Sequence, residues 1–174
     1  LNDVLPADTP VYATRLAGGL IQAKLAEYPG REALNLRRIL PGESFTVGPF
    51  RVEFLAITHS IPDGVGLALH TPIGTVVHTG DFKFDYTPVR GGQPGFARLG
   101  ELGAQGVLAL FSDSTGAERA GYTLSEAVIE PAFDQIFRNA KGRIIVATFA
   151  SLLSRVQQVF DAAQRYGRVV AVAG

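Results

Sequence analysis

The chain has 174 residues, 47% hydrophobic and 18% charged, with 16 basic and 16 acidic side chains. That balance supports a real core and excludes a disordered segment, while zero net charge gives no bulk sign of a nucleic-acid or membrane partner. Cysteine is absent, which excludes disulfides and thiolate metal sites.

In chain order, Val11 to Ala13 reads as a short strand. Thr14 is the expected N-cap of a helix to Glu27, with Leu16, Leu20 and Leu25 on its apolar side and Tyr28-Pro29-Gly30 as its stop. Strands are expected over Leu34 to Leu40, Ser44 to Val47 and Phe50 to Thr58, separated by Pro41-Gly42 and Gly48-Pro49 turns. Val65 to Thr71 and Thr75 to Thr79 flank Pro72-Ile73-Gly74 as a hairpin. The run Gly91 to Gly95 is a loop, then a helix over Phe96 to Leu102 precedes the strand Val107 to Phe111.

After Gly121 the rhythm changes. Thr123-Leu-Ser-Glu126 reads as a capping box opening a helix to Ala140. Arg143 to Thr148 is an expected buried strand, Ser151 to Tyr166 a helix and Arg168 to Ala173 another strand. Helix alternating with strand on short links is the pattern of a parallel α/β sheet, so a boundary is expected near residues 113–122. With no signal peptide and no apolar run of membrane-spanning length, a soluble cytoplasmic protein is expected. The first residue, Leu1, and the lack of any methionine predict an excerpt of a longer protein.

Hairpin geometry sorts the three histidines. A turn centred on Ile73 puts Asp81 opposite Val65, at the open end, where the loop THSIPDG carrying His59 also enters. His70 falls at the turn end. His78 faces the other side of the strand from Asp81, because residues three apart point to opposite faces. His59 and Asp81 therefore converge, and an imidazole with a carboxylate suits a divalent ion. The alternative is a loop histidine bonded to Thr58 or Asp63, with Asp81 capping a turn. Asp113 ends a strand, a common place for chemistry, or else Asp113 or Ser114 caps a local turn. Thr148, Ser151 and Arg155 open a helix whose N-terminus can receive a phosphate, or Ser151 is a plain N-cap.

The strings THSIPD, HTPIGTVVHTGDFKFD, SDST-x-AER-x-GYT and GRIIVATFAS-x-x-x-RVQQV, in this order, resemble the bacterial ribonuclease J family. The resemblance implies an α/β fold: the second part of a metallo-β-lactamase αββα sandwich over residues 1–117, then the start of a Rossmann-like β-CASP domain over 118–174. It implies a metal-dependent endonuclease and 5′-to-3′ exonuclease on single-stranded RNA, in RNA processing and decay. Two divalent ions, zinc or else manganese, would be the cofactors. His59 and Asp81 match metal ligands, Asp81 as the bridge. Asp81 and Asp113 match the catalytic acids, and Ser60, Ser151 and Arg155 are expected on the RNA path. A homodimeric or homotetrameric parent is implied.

Departures from the family pattern are visible. Its His-x-His-x-Asp-His motif is expected before Leu1, and its later histidine motifs beyond Gly174. Gly64 and Gly116 replace a serine-like residue and an asparagine, and Leu152-Leu153-Ser154 stands where the family carries Asn-Ile-His. A catalytically inactive paralogue, serving as an interaction or scaffolding subunit, is thus the alternative reading. A thioester or lactam hydrolase of the same fold would lack the α/β part after Gly121.

Overall fold

A computed structural model describes residues 6, 8–28, 34–89 and 94–173. The Pro29-Gly30 helix stop and most of the Gly91–Gly95 loop lie outside the described residues.

The centre is a five-stranded mixed sheet in the order β3-β4-β5-β6-β7: Ser44–Val47, Phe50–Ala56, Val65–Thr71, Gly74–His78 and Ala109–Phe111. The first three contacts are antiparallel, and β6 pairs with β7 in parallel. A separate parallel pair joins β1 (Pro10–Ala13) to β2 (Asn35–Arg38), linked by helix α1 (Arg15–Ala26). Stacking of Tyr12 on Phe45, centroids 4.2 Å apart, connects that pair to the main sheet.

Helix α2 (Phe96–Gln105) supplies the other layer. Its Leu99 and Leu102 lie three apart, so both fall on one helical face and meet Leu55, Ala68 and Val77. Those three share a sheet face because Leu55 is cross-strand from Gly66, and Ala68 from Val77. Helices α3 (Glu130–Asn139) and α4 (Leu153–Arg165) form a second apolar cluster around Phe137, Ala162 and Ala163. The two clusters have no residue in common.

The fold class is α/β with mixed sheets, and four local expectations need correction. First, Thr71 pairs with Gly74 and Leu67 with His78, so the turn is the two-residue Pro72-Ile73 and the register moves by one. Gly74, at φ 148°, starts β6 in a conformation other residues avoid, and Gly80 rather than Asp81 lies beside Val65. Second, the capping box does not form: Ser125 caps a 3-10 turn over Glu126–Ile129, accepting from the Ala127 N–H, and the α-helix starts only at Glu130. Third, helix α4 starts at Leu153 with Leu152 at the cap position, so Ser151 is not its N-cap.

Fourth, Arg143–Thr148 and Arg168–Ala173 form no strands. An extended segment becomes a strand only when its N–H and C=O groups find a neighbour. These find no ladder among the described residues, leaving Ile145 86% and Val169 98% exposed. Arg168 instead turns its guanidinium onto the Gly142 carbonyl (2.8 Å) and the Ala140 carbonyl, closing the end of α3.

Candidate functional site at the sheet edge

Strands β4, β6 and β7 all run the same way, since β4 and β6 are each antiparallel to β5 and β7 is parallel to β6. Their carboxyl ends share one edge. His59 follows β4, Asp81 follows β6 and Asp113 follows β7, so sheet topology brings all three to that edge. Ligand sites in α/β proteins favour this place.

Hydrogen bonds stitch the three strand ends together. Lys83 N–H donates to the Thr58 carbonyl at 2.7 Å, and Thr58 Oγ1 donates back to the Lys83 carbonyl at 2.5 Å. That pair of bonds lies one residue from His59 and two from Asp81. Thr79 N–H donates to the Phe111 carbonyl (2.9 Å), and Asp113 N–H to Thr79 Oγ1 (3.1 Å). The exposed His59 has its Nδ1 3.2 Å from Ser60 Oγ, so neither Thr58 nor Asp63 is its partner. Asp81 is exposed.

Asp113 closes a local turn, accepting from the Thr115 N–H at 2.8 Å. Hydrogen bonds from Thr115, then the Phe82 backbone and the His59 charge, hold its carboxyl below the ordinary aspartate range. Asp113 thus caps a turn, and the His59 charge acts on its carboxyl. His78 is exposed at the end of β6, where its ring stacks near Phe111 and its Nδ1 accepts from the Gly80 N–H at 3.0 Å, while His70 is engaged with Glu53. Among the described residues no three histidine or acidic side chains lie together as a metal cluster.

Beside the edge is a cleft of about 170 Å³, lined among others by His59, Ser60, Lys83, Asp85, Glu126 and Leu152. Sequence reasoning misses Lys83 and Asp85, although a signal for them exists. In DFKFD polar and aromatic residues alternate, which turns 81, 83 and 85 to one side of an extended chain. Glu126 has the sequence position of a helix cap. Its Oε1 instead accepts from Lys83 Nζ (3.1 Å) and its Oε2 from Arg155 Nη2. Burial works to raise the Glu126 pKa, but the bonds from Arg155 and Lys83 outweigh it and hold the group ionised. Asp85, which is buried where Glu126 is half-buried, is kept low against burial by bonds from Ser125, Thr87 and Glu126. Ser151 is exposed beyond the start of α4.

Residues 141–174 match the family model "Ribonuclease J, beta-CASP domain". Over 169 residues, 95% of the chain, it is 47% identical to ribonuclease J of Thermus thermophilus. The chain is similar to a segment of ribonuclease J proteins. It is also 46% identical to ribonuclease J of Synechocystis over 96% of its length, and 43% identical to ribonuclease J2 of Bacillus subtilis over 95%. It spans less than a third of these ribonuclease J chains, 29%, 26% and 30% respectively. A crystal structure of a protein of unknown function from Enterococcus faecalis V583 shares the fold, with a TM-score of 0.66 and 14% identity. That match covers 91% of this chain and 40% of the other. Among the described residues no helix is long and apolar enough to cross a membrane.

Proposed function

We propose that this chain is part of a metal-dependent ribonuclease that cuts single-stranded RNA both internally and from the 5′ end, in RNA processing and decay. The observation that carries the reading is the meeting of the His59, Asp81 and Asp113 strand ends at one sheet edge, in a chain whose relatives are named ribonuclease J. The division into a metallo-β-lactamase part over 1–117 and a β-CASP part over 118–174 belongs to the same proposal, as do a cytoplasmic location and an oligomeric parent.

Two divalent ions, zinc or manganese, are the proposed cofactors, and the donor chemistry at the edge fits them. His59 and Asp81 are borderline and hard donors of the types such ions take. The described residues supply too few ligands for a complete centre, so further ligands must come from elsewhere in the parent. When bound, the ions supply water activation and offset phosphoryl charge. The chain's own residues do the rest. Ser60 Oγ engages His59 Nδ1 and so leaves Nε2 as the donor. Asp113, held ionised, keeps the edge anionic beside His59. Ser60, Ser151 and Arg155 are the proposed RNA contacts.

The inactive-paralogue reading is supported by Leu152, which lines the cleft where the family carries asparagine. Metal analysis of the full-length parent, with a single-stranded RNA cleavage assay, separates the two. Bound metal with cleavage lost in Asp81→Ala supports the enzyme; a metal-free, inactive parent supports the paralogue.

A further inference from the structure

The junction between the sheet part and the α3–α4 part is polar. The apolar clusters on either side have no residue in common, so few contacts can transmit position between them. Those contacts centre on one residue. The Glu126 carboxylate accepts from Lys83 and from Arg155, its N–H donates to Asp85 Oδ2 (3.1 Å), and its carbonyl accepts from Gln158 Nε2 (3.0 Å). Ser125 next to it donates to the Thr87 carbonyl at 2.9 Å. Glu126, Lys83 and Arg155 are all less than a quarter exposed, so solvent screens their charges incompletely.

Lys83 joins this hub to the site edge. Its backbone is bonded on both sides to Thr58, next to His59, and it stands two residues after Asp81. We infer that Glu126 is a positioning residue: through Lys83 and Arg155 it locks helix α4 against the strand ends that carry His59 and Asp81, and thereby sets the width of the cleft between them. The functional part of this inference rests on the nuclease reading above. Glu126 touches no reacting atom. It acts only through Lys83 and Arg155.

The test uses the full-length parent carrying Glu126→Gln, Lys83→Met or Lys83→Arg. The neutral amide keeps the shape of Glu126 but loses the charge that two cations share. Hydrogen exchange is expected to quicken several-fold in segments 83–87 and 125–127 in E126Q and K83M, with the β4–β5 ladder unchanged and K83R near wild type. Single-turnover cleavage of single-stranded RNA is expected to lose roughly ten- to a hundredfold in kcat with KM unchanged, as misplaced groups do. The E126Q/K83M double variant should fall no further than either single one. Unchanged exchange in those segments, or equal quickening throughout, overturns the inference. So does a change confined to KM, which would mean that releasing Arg155 alters RNA binding while the strand ends stay in place. If the wild-type parent cleaves no RNA, the nuclease reading fails, and the exchange pattern alone decides whether Glu126 locks the junction.

Discussion

Glu53 and Arg98, 45 residues apart in the chain, meet in a two-pronged ion pair, Nε to Oε1 at 2.6 Å and Nη2 to Oε2 at 3.0 Å. Glu53 is 6% exposed on the sheet face that α2 covers, and His70 Nε2 reaches the same carboxylate at 2.8 Å. Thr75 Oγ1 holds the other ring nitrogen of His70 at 3.2 Å. The network fixes α2 on the sheet, and it explains why His70 serves structure rather than the site edge.

Removing the charge should be costly, because the arginine and histidine are left facing an apolar layer. Glu53→Gln is expected to destabilise the chain by about 2–3 kcal/mol, somewhat below a fully buried pair since Arg98 is partly exposed. Urea unfolding measures it, and a midpoint equal to wild type would show that the network adds nothing to stability.

The same group predicts an acid limb. The Arg98 hydrogen bond, aided by His70 and opposed by burial, lowers the Glu53 pKa from 4.5 to about 2. A depressed carboxyl stabilises the folded state fully above the unfolded value and loses that contribution as pH falls through the folded one. About 3 kcal/mol is therefore present above pH 4.5 and lost towards pH 2. Thermal unfolding between those limits should steepen in wild type and flatten in E53Q.

Gly66 tests the close approach of strand ends. A Cβ there would lie 2.9 Å from the His78 carbonyl and 3.0 Å from that of Thr79, both backbone atoms that cannot swing away. Gly66→Ala is expected to cost about 1–3 kcal/mol as overpacking. It should also loosen the Thr79–Asp113 bond, read as faster exchange of the Asp113 amide. Wild-type stability would mean the ladder yields more easily than this contact implies.

Asp63 caps helix α1 from a distant loop. Its Oδ2 accepts from the Leu16 N–H at 2.9 Å, whereas Thr14, at the cap position, makes no side-chain cap bond. Asp63→Ala should cost about 1 kcal/mol of stability, from the lost cap and the lost charge at a helix N-terminus. An unchanged melting temperature would assign the cap elsewhere.

The 174 residues alone are expected neither to bind two metal ions tightly nor to cleave RNA, because His59 and Asp81 fall short of a full ligand set. Calorimetric titration with zinc and manganese, plus an RNA assay, checks this. A cleavage rate abolished by chelator and by Asp81→Ala would overturn it.

Much of the site edge is legible without coordinates. Turn residues and period-two runs delimit Ser44–Val47 and Val65–Thr71, and the hairpin then sends the ends bearing His59 and Asp81 to one side. Such signals are local: a strand's faces and a turn's residues are encoded within a few positions. The hairpin register is nearly so, and is missed by one because Gly74 can open β6 at a φ that Thr75 could not adopt.

Long-range choices are not legible. Thr123-Leu-Ser-Glu126 has the letters of a capping box, yet Glu126 gains more from two cations, Lys83 43 residues before it and Arg155 29 after it. Asp63 likewise caps a helix 47 residues away. The apolar runs at 143–148 and 168–173 have strand composition but find no neighbour to complete a ladder among the described residues. By itself the sequence determined the hairpin and the loop that carry His59 and Asp81 to one end, since alternation and turns are properties of adjacent positions, whereas the parallel pairing of β7 with β6 that adds Asp113 is a long-range choice. Only the tertiary structure decided what each polar group bonds to, because a buried carboxylate takes whichever donors folding brings near it.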